Sequence, residues 1–146
     1  MKTVVSINGE YSTRNFTVFD LQCLKGKRQL SKALPFTPEE ASAAEIAGID
    51  ALNVRYNPKR PELAVSIRQA APQTFMTFTM PMQAATTSSE ALSVCFDAMA
   101  RGADSIMCGT WSLDFIEAVA KAGIPVEGHI GSVSYTHLTL PTIYSV

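Results

Sequence analysis

Apolar and polar positions change period repeatedly along this chain. From residue 29 to 131, short apolar runs alternate with amphipathic ones. The runs at 30–34, 51–56, 74–80, 104–108 and 126–130 are apolar and bounded by Gly, Pro or Asp, as parallel strands buried on both faces are. Ser31 and Lys32 interrupt the first of them. The stretches between read as helices. Thr37-Pro38-Glu39-Glu40 sets a capping Thr, a proline at the first helical position and a Glu three residues after the cap; Thr87-Ser88-Ser89-Glu90 repeats the Thr-to-Glu spacing. Leu92, Cys95, Phe96 and Met99 then fall on one helical face. Ser112 is a cap candidate for a helix whose stripe is Phe115, Val119 and Ala122, and a further helix is predicted over 61–71.

The helix ends match each other. Ala47-Gly48-Ile49-Asp50, Arg101-Gly102-Ala103-Asp104 and Ala122-Gly123-Ile124-Pro125 each set a glycine between a helix and the next strand. Glycine there supplies the left-handed conformation that ends a helix. Strands alternating with helices imply an α/β fold with a parallel sheet and right-handed crossovers. Periodicity leaves an open doubly wound sheet and part of a (βα)8 barrel both standing. No G-x-G-x-x-G or G-x-x-x-x-G-K-[ST] follows any candidate strand, which disfavours a nucleotide-binding sheet.

Composition narrows the partners. The 146 residues carry 12 Lys plus Arg against 13 Asp plus Glu, with 47% hydrophobic residues, as a folded chain does. The basic residues are scattered apart from Lys25, Lys27, Arg28 and Lys32, so no nucleic-acid partner is expected. No apolar run reaches the roughly 20 residues of a membrane span, and the first residues lack a signal-peptide pattern, so a cytoplasmic protein without a membrane partner is expected. Cys23, Cys95 and Cys108 are too widely spaced to suggest a disulfide framework or a zinc motif.

In either α/β architecture, ligands bind at the carboxyl ends of the strands. The residues there are Arg55, Tyr56, Asn57, Thr79, Gly109, Thr110, Trp111 and His129. Arg55 is placed to grip a carboxylate with two parallel hydrogen bonds, or is an ordinary surface arginine. His129, between Gly128 and Ile130-Gly131, is a candidate acid/base or ligand-binding group, or a satisfied core histidine. Glu127 shares its face and either orients the imidazole or is a solvated charge. Thr77 and Thr79 put two hydroxyls on one strand face, where packing is the simpler explanation. Cys108 is a nucleophile candidate without a nearby histidine, and a buried inert thiol is the simpler reading.

Several segments resemble one family. Thr17-Val18-Phe19-Asp20-Leu21 and Leu24-Lys25-Gly26-Lys27 resemble the amino-terminal helix of the ketopantoate hydroxymethyltransferase (3-methyl-2-oxobutanoate hydroxymethyltransferase) family. Ala47-Gly48-Ile49-Asp50, Pro81, Ser89-Glu90-Ala91-Leu92, and above all Ala122-Gly123-Ile124-Pro125-Val126 with Gly128-His129-Ile130-Gly131, extend the similarity over residues 17–131. The resemblance implies a (βα)8 barrel of the phosphoenolpyruvate/pyruvate group, with residues 1–132 as its amino-terminal half plus an amino-terminal extension. Such a barrel takes about 250 residues. It implies transfer of a one-carbon unit from methylenetetrahydrofolate to a small 2-keto acid, 3-methyl-2-oxobutanoate, on the way to pantothenate. Magnesium is implied as the Lewis acid, and a homo-oligomer for the full-length protein.

Position by position, the resemblance makes His129 the catalytic histidine, puts Asn57 where the family has a substrate-contacting Ser, and leaves Arg55 and Thr79 as further substrate contacts. The family's two metal-binding Asp fall at Tyr56 and Thr79, and its Lys and Glu at Met107 and Gly109. The carboxylates that should hold magnesium are therefore missing. Two other functions stay open: a carbon–carbon lyase of the same barrel group, and a metabolite-binding paralogue that has lost its metal site.

From Val133 the resemblance stops. Val133-Ser134-Tyr135-Thr136-His137-Leu138 looks like a translated frame of the transposon-end adapter used in sequencing libraries, so residues 133–146 are expected to be a non-native tail. Sequencing the source locus tests this: the frame should diverge after residue 132, and an intact gene encoding the same tail overturns it.

Overall fold

The computed structural model describes residues 1–81, 84–109 and 113–129; the expected tail at 133–146, Trp111 and the Ser112 cap lie outside them. The chain opens with a hairpin that the sequence pattern did not announce. β1 (Lys2–Val5) pairs antiparallel with β2 (Tyr11–Arg14), Lys2 opposite Arg14 and Val5 opposite Tyr11. Helix α1 (Val18–Leu24) follows, closed by a capping box in which Thr17 and Asp20 satisfy each other's backbone N–H groups.

Then the strand–helix alternation begins: β3 (Lys32–Ala33), α2 (Pro38–Ile46), β4 (Ala51–Arg55), α3 (Glu62–Ala70), β5 (Phe75–Thr79), α4 (Ser88–Ala100), β6 (Ser105–Gly109), α5 (Leu113–Lys121) and β7 (Val126–His129). The first strand shrinks to two residues where Ser31 and Lys32 break its apolar run. Thr37 caps α2 by accepting from the Glu40 N–H, and Thr87 closes a full capping box with Glu90. In α2 the Glu40 carboxylate takes the Phe36 N–H instead, one residue earlier than the box pattern.

The sheet order is β3-β4-β5-β6-β7, every pair parallel. A doubly wound sheet reverses its strand order at a switch point. Here each strand lies beside its predecessor, and crossovers of one hand put the helices on one face. That is the arrangement of half a (βα)8 barrel, and it decides between the two architectures left open by periodicity.

Strand residues alternate between two faces. Leu52, Val54 and Tyr56, Met76, Phe78 and Met80, and Ile106 and Cys108 point at the helices and are buried there. Ala64 and Ile67 of α3, Ala91, Cys95 and Ala98 of α4, and Val119 of α5 complete that layer. Burying each large side chain stabilises by about 1.5–3 kcal/mol. The expected stripe on α4 needs correction: Phe96 is 41% exposed, and the face against the sheet is Ala91, Cys95 and Ala98. A stripe of small residues lets the helix axis approach the sheet, and Leu92 and Met99 flank it half-buried. On α5 the stripe ends at Val119, because Ala122 is exposed past the helix end. Cys108 is buried in this layer, where its thiol meets that of Cys95; that contact and burial push the Cys95 pKa up, while the same contact holds the Cys108 pKa below its ordinary value.

The amino-terminal ends of the strands are stitched by two repeats of one device. In Gly48-Ile49-Asp50, glycine has φ 76° and ends the helix, and Asp50 accepts from Arg28 Nη2 at 2.6 Å and from the Ser31 N–H at 2.9 Å. In Gly102-Ala103-Asp104, the Asp104 carboxylate takes Arg14 Nε at 2.8 Å, Arg68 Nη1 at 3.0 Å and the Met76 N–H at 2.8 Å. Gly102 has φ 101°, and a Cβ there would stand 2.9 Å from Arg68 Cγ. Asp104 thus ties the hairpin, α3 and β5 to β6. Asp104→Asn should cost about 3–5 kcal/mol in urea unfolding, because two buried guanidinium groups lose their counter-charge. A loss within about 0.5 kcal/mol, the range of ordinary surface changes, would show that Asp104 is no such tie.

Candidate functional site

The second face of the sheet is concave and polar. Its residues follow from strand register: Asn53 stands beside Thr77, Arg55 beside Thr79, Thr77 beside Ser105, Thr79 beside Met107, Met107 beside Glu127, and Gly109 beside His129. Side chains two apart along a strand share a face, so Glu127 and His129 are neighbours on β7. The polar groups fall into two tiers.

The inner tier joins the two edge strands. Lys32 Nζ, from β3, lies 2.6 Å from Glu127 Oε2 on β7 and 2.9 Å from Thr77 Oγ1 on β5. The Thr77 hydroxyl donates to Glu127 Oε1 at 2.6 Å, and Ser105 Oγ lies 2.9 Å from the same oxygen. Burial alone would raise the Glu127 pKa, but the hydrogen bonds from Lys32, Thr77 and Ser105 and the lysine's charge outweigh it and hold the pKa below its ordinary 4.5. The carboxylate is thus ionised in its resting state. A cavity of 580 Å³ opens beside this tier between α1 and the sheet, with Leu21, Leu24, Arg28 and Phe75 on its walls and Lys32 and Glu127 at its edge.

The outer tier sits at the carboxyl ends. Thr79 Oγ1 donates to Asn53 Oδ1 at 2.5 Å, and Met107 Sδ lies 3.8 Å from Asn53 Nδ2. His129 ends β7, half-buried. Arg55 is exposed, with its guanidinium 5.3 Å from the centre of the Phe36 ring. Stacking engages the face of a guanidinium and leaves its donors in the plane.

Two residues of the expected strand-end set lie elsewhere. Asn57 is exposed past β4, where its Oδ1 accepts from the Lys59 N–H at 3.0 Å and forms the turn into α3. Tyr56 lies on the helix side, 1% exposed, its ring stacked on Phe78 and its hydroxyl donating to Asp97 of α4. Burial and the Asp97 carboxylate push the tyrosine's pKa up to about 12. Glu127 serves Lys32, Thr77 and Ser105, a role different from orienting His129.

Sequence reasoning passed over Lys32, Asn53 and Ser105. The break that Ser31 and Lys32 make in the first strand was the available signal for one of them; the other two are ordinary polar residues that only register brings to this face.

The residues at the family's metal positions do not fit a divalent cation. Tyr56 is a buried phenol turned to the helices, the Thr79 hydroxyl is engaged by Asn53, and Gly109 brings no side chain. Among the described residues, no group of three His, Cys, Asp or Glu side chains is placed to hold a metal.

Sequential parallel strands, helices on one face and polar groups gathered on the other define half of a (βα)8 barrel scaffold. Over residues 59–143, more than half of its length, the chain matches the model of the ketopantoate hydroxymethyltransferase family, and it belongs to that family. The match spans α3 to β7 and takes in residues 133–143 as well. Two solved structures are also similar. One is a mandelate racemase/muconate lactonizing enzyme type from Sorangium cellulosum, with 22% identity, TM-score 0.45 and 68% of this chain covered. The other is a mandelate racemase/muconate lactonizing protein from Herpetosiphon aurantiacus, with 18% identity, TM-score 0.47 and 69% of this chain covered. The chain spans 32% of the length of each. No curated protein sequence matches the chain. Among the described residues, no helix is long and apolar enough to cross a membrane.

The Lys32–Glu127 pair gives a pH-dependent contribution with a definite sign. Because the folded-state pKa of Glu127 is depressed, its stabilisation is present above the ordinary glutamate value and disappears as pH falls through the lower folded value. Glu127→Gln should therefore lower the melting temperature at neutral pH, with the gap to the parent protein closing in acid. A gap that stays constant down to the acid limit would count against an ionised pair.

Proposed function

We propose that this protein acts in a ketopantoate hydroxymethyltransferase-type reaction, moving a one-carbon unit from methylenetetrahydrofolate to a small 2-keto acid. The observation that carries this is the family match through β5, β6 and β7, whose carboxyl ends bring Thr79, Met107 and His129 to one edge of the sheet. Ligands of (βα)8 enzymes bind at that edge.

In this reading His129 hydrogen-bonds the keto oxygen and moves a proton there. The in-plane donors of Arg55 take the substrate carboxylate, and the Thr79–Asn53 pair offers the amide of Asn53 to a neighbouring oxygen. Asn57 enters only if substrate displaces its bond to the Lys59 N–H. Magnesium, which the family uses, finds no carboxylate cage in these residues, so no step is derived through it. The same donor set favours one other reading, a paralogue that binds a keto acid without turning it over.

Incubation of the protein with methylenetetrahydrofolate and 3-methyl-2-oxobutanoate, with product measured by mass spectrometry, tests both. The transferase should form a hydroxymethylated keto acid, and His129→Ala should slow it by about 10²–10⁴-fold. No product with or without added magnesium, alongside keto-acid binding by calorimetry, would replace the transferase by the binding paralogue.

A further inference from the structure

The arginines of this chain are not held alike. Arg14, Arg28, Arg68 and Arg101 each meet a carboxylate at 2.6–3.0 Å. Arg55 instead lies over the ring of Phe36, its Cζ 5.3 Å from the ring centre, and among the described residues nothing hydrogen-bonds its guanidinium. Arg28 also lies over a ring, that of Phe16 at 5.8 Å, but keeps Asp50 as its counter-charge. Arg55 and Phe36 both stand at the carboxyl ends of neighbouring strands. Arg55 closes β4 beside Thr79, and Phe36 lies in the loop between β3 and α2. Phe36 is 55% exposed and so adds little to the core. Its backbone is nonetheless pinned. The Glu40 carboxylate accepts its N–H at 2.6 Å, Thr37 accepts the Glu40 N–H at 3.2 Å, and the buried Pro35 precedes it. A fixed backbone gives the ring a fixed place, and the ring gives one to the long arginine.

We propose that Phe36 is a positioning residue that makes the site select a carboxylate: its ring supports one face of the Arg55 guanidinium, so that the in-plane N–H donors are aimed to take a substrate carboxylate in two parallel bonds. The inference rests on the keto-acid reading above and deepens it, by naming the residue that aims Arg55 and so sets the acid apart from a neutral ketone. Stacking occupies the face of the guanidinium and leaves every donor free. Holding the side chain in advance removes part of the rotamer entropy that binding would otherwise cost. The charge matters as well. Arg28 would have to give up Asp50 before it could take an incoming anion, whereas Arg55 loses only water. Glu40 and Thr37 act one step further out, by fixing the loop that carries the ring.

The test compares an acid with its neutral counterpart. Ligand-observed NMR titrations follow 3-methyl-2-oxobutanoate and 3-methyl-2-oxobutanamide binding to the protein and its variants. Phe36→Leu should weaken the acid by about 2–5-fold, the range of a solvent-exposed cation–ring contact, and leave the amide unchanged. Phe36→Tyr keeps an aromatic face and should restore the parent's affinity. Arg55→Gln should abolish the acid's advantage over the amide, and adding Phe36→Leu to it should weaken the acid no further. Because Phe36 is exposed, its variants should melt with the parent protein. Equal weakening of acid and amide by Phe36→Leu, or an undiminished effect of Phe36→Leu beside Arg55→Gln, would overturn the proposal. Loss of acid binding in Arg55→Gln with no effect of Phe36→Leu would also overturn it and leave the keto-acid reading intact. Absence of acid binding by the parent protein would overturn both.

Discussion

One constraint organises this molecule: parallel strands with helices on one side must send alternate side chains to opposite faces. A one-residue change of phase would exchange the two sets completely. The even-numbered residues of β4, β5 and β6, among them Leu52, Phe78 and Ile106, are committed to the apolar layer. The odd-numbered Asn53, Thr77, Thr79 and Ser105 are thereby left for the concave face. The same rule turns Tyr56 toward α4 and Thr79 inward, at the two positions where the resemblance led us to expect metal-binding carboxylates.

The two ends of the sheet do different work. At the amino-terminal ends, Asp50 and Asp104 gather arginines and backbone N–H groups from elements far apart in sequence, and Asn15 bridges the Asp50 carbonyl and the Phe75 N–H at 2.8 Å each. The two carboxylates and the Asn15 amide are engaged within the fold and serve it. At the carboxyl ends, Arg55 and His129 stand at strand termini. Conserving stability at one end and chemistry at the other is the division that (βα)8 scaffolds favour.

Between the ends, the Lys32–Glu127 pair spans the concave face from one edge strand to the other. An ion pair in a fully apolar interior would lose more in desolvation than it gains. Here the side chains keep 31% and 36% exposure, and Thr77 and Ser105 satisfy the carboxylate's remaining lone pairs. The pair is therefore tolerated, and it holds an ammonium, a carboxylate and two hydroxyls within hydrogen-bond reach of one another.

Much of the fold was legible in the chain because it is local. Capping by Thr37 and Thr87 and the three glycine helix ends, with φ of 76°, 101° and 80°, depend on a few adjacent residues, and they appear where the pattern put them. The face of α4 was misjudged because Phe96 is apolar in isolation, while close approach to the sheet selects Ala91, Cys95 and Ala98. His129, Arg55 and Thr79 were visible as polar residues at strand ends. Lys32, separated from Glu127 by 95 positions, was not. By itself the sequence determined the elements, their polarity of direction and the family signature, since periodicity, caps and short motifs are short-range. Only the tertiary structure decided the sequential strand order, the orientation of Tyr56 and the meeting of Lys32 with Glu127, because these follow from sheet register, which joins residues that have no local reason to meet.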